Sequence, residues 1–399
     1  MAEAFKDQGG AATMNPSRFE RWIASKVMTR LSQTSAVKAR HAKAERARSK
    51  VGATHEVHYF HQVEDGYSHL AAQLLMPLLA RYDIELRCHL VRADRGKNVP
   101  ESALLARLSR YESHLVAPGY GLVFPDHPHE PDAHHVSLAT RILAAQSPET
   151  FPEIAATVGD ALWSGDGARL DHLAEVAGCA AIERAEEVLE AGTQLRREMK
   201  HYSGAMFYYG GEWYWGADRF YLLEQRLAAL GADRESDRDP IASRPAIELP
   251  QRRDNKAFTL EFYASLRSPY TAVVFDRAVA FARDAGVTLA LRPVLPMVMR
   301  GVPATREKGM YIFMDAAREA RSAGVAYGNF YDPIGNPVRN CYALYPWAAS
   351  QGKEVELLSS FLRHAFVLGV NTNTEGGLRK VVEAAGLDWI AAQAHRQDT

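Results

Sequence analysis

The chain has 399 residues, 47% of them hydrophobic and 24% charged, with a formal net charge of -1. That length implies two or three domains with sizeable cores, and the charge balance argues against a protein whose whole surface serves nucleic acid. No stretch approaches the roughly 20 apolar residues of a membrane span; the three scattered cysteines, Cys88, Cys179 and Cys341, form neither a disulfide framework nor a CxxC pair, so a reducing cytoplasm is the expected home.

Residues 1–54 are expected to form a separate basic helical arm. Between Ser17 and Lys50 ten Lys/Arg stand against two Glu, a net of +8. Phe19, Trp22, Ile23, Val27 and Leu31 recur at helical spacing and give one apolar stripe. The expectation is a helix docked on the body with a solvated basic tail. Contact with an anionic membrane or with nucleic acid is the alternative reading of such charge.

The first globular part, 55–232, opens "VHYF" (57–60), "DGYSHLAAQLL" (65–75), "IELRCHLV" (84–91). This is strand, helix, strand, with a crossover long enough for a parallel βαβ unit. A mostly helical stretch fills about 100–200. It includes "DHPHEPDAHH" (126–135), whose histidines match no metal-ligand spacing, so no metal is expected. "GAMFYYGGEWYWGADRFYLLEQRLAALG" (204–231) then reads as a hairpin around Gly-Gly and a closing amphipathic helix from Asp218 to Leu230. Residues 233–256 are charged and contain proline, and are expected to be a linker.

The second globular part, 257–399, repeats the opening. "LEFY" (260–263) leads to "SPYTAVVFDRA" (268–278) and "VTLALRPV" (287–294). Tyr270 and Tyr67, Val287 and Ile84, Val294 and Val91, and Pro303 and Pro100 all differ by 203 positions. One offset held across strand, helix, strand and loop indicates a duplicated domain. The same offset carries the first hairpin past Thr399, so the second copy is expected to lack its closing hairpin.

Ser268 stands where the second copy turns from strand to helix. Local chemistry alone reads it as an N-cap, worth about 1 kcal/mol, with Pro269 at the first helical position, where its missing N–H costs nothing. The order "LEFY", Ser-Pro-Tyr, "LRPV", a proline-containing loop and "EKGMYIFMDAAREARSAG" (307–324) resembles the 2-hydroxychromene-2-carboxylate isomerases. These group with the kappa-class glutathione transferases in the DsbA-like branch of the thioredoxin fold. The resemblance covers Phe258 to about Trp389, and "GGEWYWGADRFYLLEQRL" of the first copy looks like that family's closing hairpin and helix.

The resemblance implies an α/β protein of two tandem thioredoxin-like domains, each with an all-helical insert. It also implies that Ser268 faces the sulfur of bound glutathione. A helix N-terminus and a hydroxyl donor both favour a thiolate. Lys308 and Tyr311 match the family's Lys-Gly-x-Tyr segment near the glutathione, where a mobile point charge suits carboxylates. Arg292 follows the second strand and is read either as a site residue or as a structural pairing residue. Asp315 and Arg318, at i,i+3, are expected to pair on the helix surface.

The first copy departs from the pattern. Asp65 stands at the serine position and Gly66 at the proline; the carboxylate caps a helix but repels a thiolate. Ala205 replaces the proline before the hairpin, and its peptide is expected to be trans. Gly216 and Asp218, which in the family meet the γ-glutamyl end of glutathione, are retained. Trp163, Trp213 and Trp215 are read as packing residues, and Cys341 as a buried small hydrophobe.

The leading expectation is thus a glutathione-dependent isomerase or transferase acting on a small molecule, in which the borrowed thiolate adds to a conjugated double bond. A non-catalytic binding or scaffold protein is the alternative, followed by thiol–disulfide exchange. A homodimer is compatible with either reading, membrane contact through the basic arm is a lesser alternative, and no nucleic acid partner is expected.

Overall fold

A computed structural model describes residues 15–126, 130–249 and 253–398. The protein is mixed α/β and rich in helix. It forms two compact units, Ala39–Ala246 and the residues through Lys38 together with Ile247–Thr399. Among the described residues no helix is long and apolar enough to cross a membrane.

The basic arm is not one separate body. Helix α1 (Arg18–Ser32) belongs to the second of these units, and α2 (Thr34–Lys50) runs across the boundary at Lys38. A capping box starts α1: the Ser17 hydroxyl accepts the Glu20 N–H while the Glu20 carboxylate accepts the Ser17 N–H.

In the Ala39–Ala246 unit, β1 (Glu56–His61), α3 (Gly66–Ala72), α4 (Leu75–Arg81) and β2 (Glu85–Leu90) form the expected parallel crossover, with Val57 opposite Leu86 and Tyr59 opposite Cys88. Helices α5 (Ser102–Val116), α6 (Ala133–Ala144), α7 (Thr150–Trp163), α8 (Gly167–Ala177) and α9 (Ile182–Glu198) follow. The chain then returns through β3 (Met206–Tyr209) and β4 (Glu212–Trp215) into α10 (Gly216–Ala229). The sheet order is β2-β1-β3-β4, with β3 antiparallel to both β1 and β4. Gly210 (φ 52°) and Gly211 (φ 87°) make the hairpin turn, a backbone that side-chain-bearing residues adopt reluctantly. Val57 and Tyr59 are fully buried on one face of the sheet among Phe207, Tyr214 and Phe220.

The stretch expected to be a free linker is fastened to this unit at its start. Arg81 forms a bidentate pair with Asp233 (3.0 Å on both oxygens) and also donates to the carbonyls of Asp239 and Arg238. The Glu224 carboxylate accepts the Ile241 and Ala242 N–H groups. Charged residues here satisfy backbone rather than solvate a tether.

In the other unit β5 (Thr259–Phe262), α11 (Pro269–Ala285) and β6 (Thr288–Leu291) form a second parallel crossover, and β5 and β6 make a two-stranded sheet. Helices α12 (Arg306–Ser322), α13 (Asn336–Ser350), α14 (Glu354–Phe366), α15 (Glu375–Ala384) and α16 (Trp389–Asp398) complete it. Its core gathers Phe275, Phe313, Cys341, Leu344, Phe361 and Phe366, with Cys341 wholly buried as expected.

Helix α1 docks on this unit, but by the opposite face from the one expected. Arg21, Ser25 and Ser32 are buried, whereas Phe19, Trp22, Ile23 and Val27 are exposed. The Arg21 guanidinium donates to the carbonyls of Asp332 (2.6 Å) and Ile334 (2.8 Å). Ser25 Oγ accepts the Asp332 N–H, Thr29 Oγ1 accepts the Phe330 N–H, and Ser32 Oγ donates to the Gly328 carbonyl. Residues 328–334 form no helix or strand with which to satisfy their own backbone. A polar helix face does it for them, because an unpaired buried peptide group costs more than an exposed apolar side chain.

Candidate functional site

After β5 the chain passes through Ala264 and Leu266, both fully buried, which fixes the turn into α11. Ser268 is extended (φ -75°, ψ 120°); its N–H donates to the Ser265 carbonyl and its Oγ accepts the Thr271 N–H at 3.2 Å. The cap reading is therefore correct as far as it goes. Accepting that bond uses an oxygen lone pair and leaves the half-buried hydroxyl its proton to donate. Pro269 is at the first helical position as expected.

The neighbours of Ser268 are pinned. Arg267 grips Asp332 with two bonds, of 2.9 and 3.0 Å. Burial pushes the Asp332 carboxyl up, but the Arg267 charge and hydrogen bonds and the Ile334 N–H outweigh it and hold the group below its ordinary value. The Tyr270 hydroxyl donates to Asp315 Oδ2 at 2.8 Å, and Arg318 Nη2 donates to Asp315 Oδ1 at 2.6 Å. The expectation of a surface pair here is wrong: the Asp315 side chain has 0% exposure and that of Arg318 10%. The pair is buried because it ties the first turn of α11 to α12. Phe313, Ala316, Ala317 and Ala320, all buried, surround it in sequence, and that apolar context was the available signal.

Lys308 and Tyr311 lie on α12, N-terminal to Asp315. At 3.6 residues per turn, positions 308, 311 and 315 share one stripe of α12, on which Asp315 meets Tyr270 of α11. Lys308 is about 10 Å along the axis from Asp315, at 1.5 Å per residue. Thr305 caps this helix by accepting the Lys308 N–H at 3.2 Å. Arg292, just after β6, spends its guanidinium on Glu261 of β5, with bonds of 3.0 and 2.7 Å. Of the two roles open to it, the structure displays the pairing one.

The corresponding turn in the Ala39–Ala246 unit is built differently. Asp65 caps α3 by accepting the Ser68 N–H (3.0 Å), and its carboxylate also accepts Ser68 Oγ–H (2.9 Å) and Ser109 Oγ–H (2.8 Å). Burial pushes this carboxyl up from its ordinary value, against the pull of those bonds. Ser68, itself fully buried, accepts the N–H groups of Gln62 and Ala205. Ala205 has φ 54°, and its carbonyl accepts the Gly216 N–H at 2.7 Å. No described peptide bond is cis. Asp218 accepts the Tyr120 hydroxyl at 2.7 Å. A β-carbon on Gly66 would lie 2.7 Å from Ser113 Oγ, so glycine there is a packing requirement.

The structure thus gathers Asp65 and Gly216 through Ser68 and Ala205 into one closed network, in which every polar group named is taken by a neighbour. Ser68 and Ser109 were missed in the sequence. Ser109 lies on α5 within the helical stretch, which keeps no readable register with the sequence of the other unit. Among the described residues no three His, Cys, Asp or Glu side chains form a metal-binding group. His127 and His129 lie outside the described residues, and His135 pairs with Asp132 at 2.7 Å.

Two strand–helix–strand turns, each capped by an oxygen side chain, define the candidate sites of a mixed α/β protein; the cap is a hydroxyl at Ser268 and a carboxylate at Asp65, where the Ser68 and Ser109 hydroxyls are spent on it. No family model matches the chain, and no curated protein sequence is significantly similar to it. Among solved structures the chain is similar to a 2-hydroxychromene-2-carboxylate isomerase, at 21% identity over 44% of this chain and 96% of that one, with a TM-score of 0.34. It is also similar to a proposed DsbA oxidoreductase from Streptomyces coelicolor, at 20% identity over 35% of this chain and 67% of that one, with a TM-score of 0.28.

Proposed function

We propose that the chain is a DsbA-like, thioredoxin-fold protein of two tandem units, and that the unit carrying Ser268 binds glutathione for isomerase or transferase chemistry on a small conjugated substrate. The observation that carries this reading is the Ser268 turn. A half-buried hydroxyl caps a 17-residue helix, proline follows it, and the next residue is locked to α12 through Asp315. Bound there, glutathione would supply a thiol that adds to a double bond and leaves after rotation. Ser268 would donate its proton toward the sulfur, and the positive end of α11 would favour the thiolate. Lys308, on the α12 stripe, would meet a tripeptide carboxylate, with Tyr311 one turn further along.

Two of the three cysteines, Cys88 and Cys341, are poor competitors for this role. Burial pushes the thiols of Cys88 and Cys341 up from their ordinary value, which suppresses the thiolate that disulfide exchange requires. The closed Asp65 network favours a second reading for the Ala39–Ala246 unit, that of a non-catalytic partner. Fold alone decides neither.

Titration calorimetry with reduced glutathione tests the proposal. Wild-type chain is expected to bind, with affinity at least tenfold weaker in Ser268→Ala and unchanged in Asp65→Asn. Absence of binding by the wild-type chain overturns it.

A further inference from the structure

The two sheets differ at one edge. In the Ala39–Ala246 unit β1 is flanked on both sides, by β2 and by β3. In the other unit β5 pairs only with β6 among the described residues. The exposures record the difference at positions 203 apart. Val57, Tyr59 and Phe60 are all at 0%, whereas Leu260 and Phe262 are half-buried and Tyr263 is 61% exposed. Phe258, at the start of the strand, is 73% exposed.

The hydrogen-bond phase of β5 says what this edge can take. The carbonyls of Phe258, Phe262 and Ala264 accept N–H groups from Thr288, Arg292 and Val294, on the β6 side. Because strand residues alternate, Thr259, Glu261 and Tyr263 direct their N–H and C=O groups to the other side. These are the counterparts of the positions that in β1 face β3, where His58 lies opposite Tyr208 and Phe60 opposite Met206. An open edge of this kind, flanked by exposed aromatic residues, is a template for another strand.

We infer that β5 pairs antiparallel with β5 of a second copy of this chain, about a two-fold axis at Leu260, giving one sheet ordered β6-β5-β5-β6. The phase closes in this register. Thr259 of one copy lies opposite Glu261 of the other, so the outward peptide groups bond to each other. Leu260 lies opposite itself, and Phe258 opposite Phe262, covering the half-exposed core face with apolar side chains. No like charges meet, since Glu261 faces threonine and keeps its Arg292 partner. An axis one residue later sets Glu261 against Glu261 and is disfavoured. The contact is isologous and closes after two copies.

The 399-residue chain tests this without reference to glutathione. Sedimentation is expected to show a dimer, and hydrogen exchange is expected to protect the Thr259 and Glu261 amides. Glu261→Pro removes one outward N–H and the exposed Arg292 pair but leaves the backbone bonds to β6 intact; Phe258→Lys alters only an exposed side chain. Each is expected to raise the dimer dissociation constant at least tenfold and to expose the Thr259 amide. Leu260→Cys is expected to yield a disulfide-linked dimer on mild oxidation, because residues facing across a non-hydrogen-bonded pair lie at roughly 4.5 Å between Cα atoms. A dimer indifferent to all three substitutions overturns the inference. So does a monomer, whether its Thr259 and Glu261 amides exchange freely or are protected by other parts of the same chain.

Discussion

Ser268 and Asp65 occupy the same place in two strand-to-helix turns, and both cap the helix that follows. What separates them is charge. Ser268→Asp is expected to keep the cap and the folding stability of its unit while abolishing glutathione binding, since a carboxylate repels the thiolate that a hydroxyl favours. Ser268→Ala is expected to lose both, with a stability cost of about 1 kcal/mol. Urea unfolding of each variant, set beside its calorimetry, separates cap from site; loss of binding in neither contradicts the role given to Ser268. Both caps were legible in the sequence because each immediately precedes a helical pattern. The Asp315–Arg318 pair was legible only as a spacing. Its burial depends on Tyr270 reaching it from another helix, 45 residues away, and no local pattern records that.

At the scale of elements, α1 teaches the limit of periodicity. The apolar stripe at Phe19, Trp22, Ile23 and Val27 was real, but the rule that such a stripe faces the core failed. Arg21, Ser25, Thr29 and Ser32 also lie along one face, and their hydroxyls and guanidinium match the peptide groups of residues 328–334. Arg21→Ala leaves two buried carbonyls without their donor and is expected to cost about 2–3 kcal/mol. Arg21→Lys is expected to rescue only part of this, because an ammonium cannot reproduce the planar fork. Amide exchange across 18–32 reads the result: faster exchange in Arg21→Ala is expected, and exchange unchanged from wild type would show that the docking does not depend on Arg21.

For the whole molecule, the 203-residue offset was the most informative thing in the sequence. The caps Asp65 and Ser268 keep it, and so do the strand pairings Glu56 with Glu85 and Thr259 with Thr288. The helical stretches between did not show it, since helix packing tolerates shifts that a sheet register does not. Stability against acid also belongs to this scale. Burial drives His61 down to about 3 and His69 to about 4, from an ordinary value near 6.5. Below pH 6.5 the unfolded chain takes up these protons and the folded chain does not. Stability is therefore full above pH 6.5 and falls as pH drops toward 4, by about 1.4 kcal/mol per pH unit for each histidine. Denaturant midpoints of the Ala39–Ala246 unit measured between pH 7 and pH 4 are expected to show this slope, reduced in His61→Phe; a flat profile in the wild type contradicts it.

The docking of α1 also sets a timetable. Arg21 and the carbonyl of Asp332 are 311 residues apart in the chain. During synthesis at 5–20 residues per second, α1 leaves the ribosome roughly 15 to 60 s before the segment it must serve. Throughout that interval the polar face of α1, with Arg21 and Ser25, lacks the peptide groups it binds, and the exposed Phe19 and Trp22 sit on a helix that its own unit does not yet hold. The nascent chain is expected to be most vulnerable to aggregation and to chaperone capture in this window. The Ala39–Ala246 unit, whose strands and hairpin are complete long before residue 328 is made, can fold while α1 still waits.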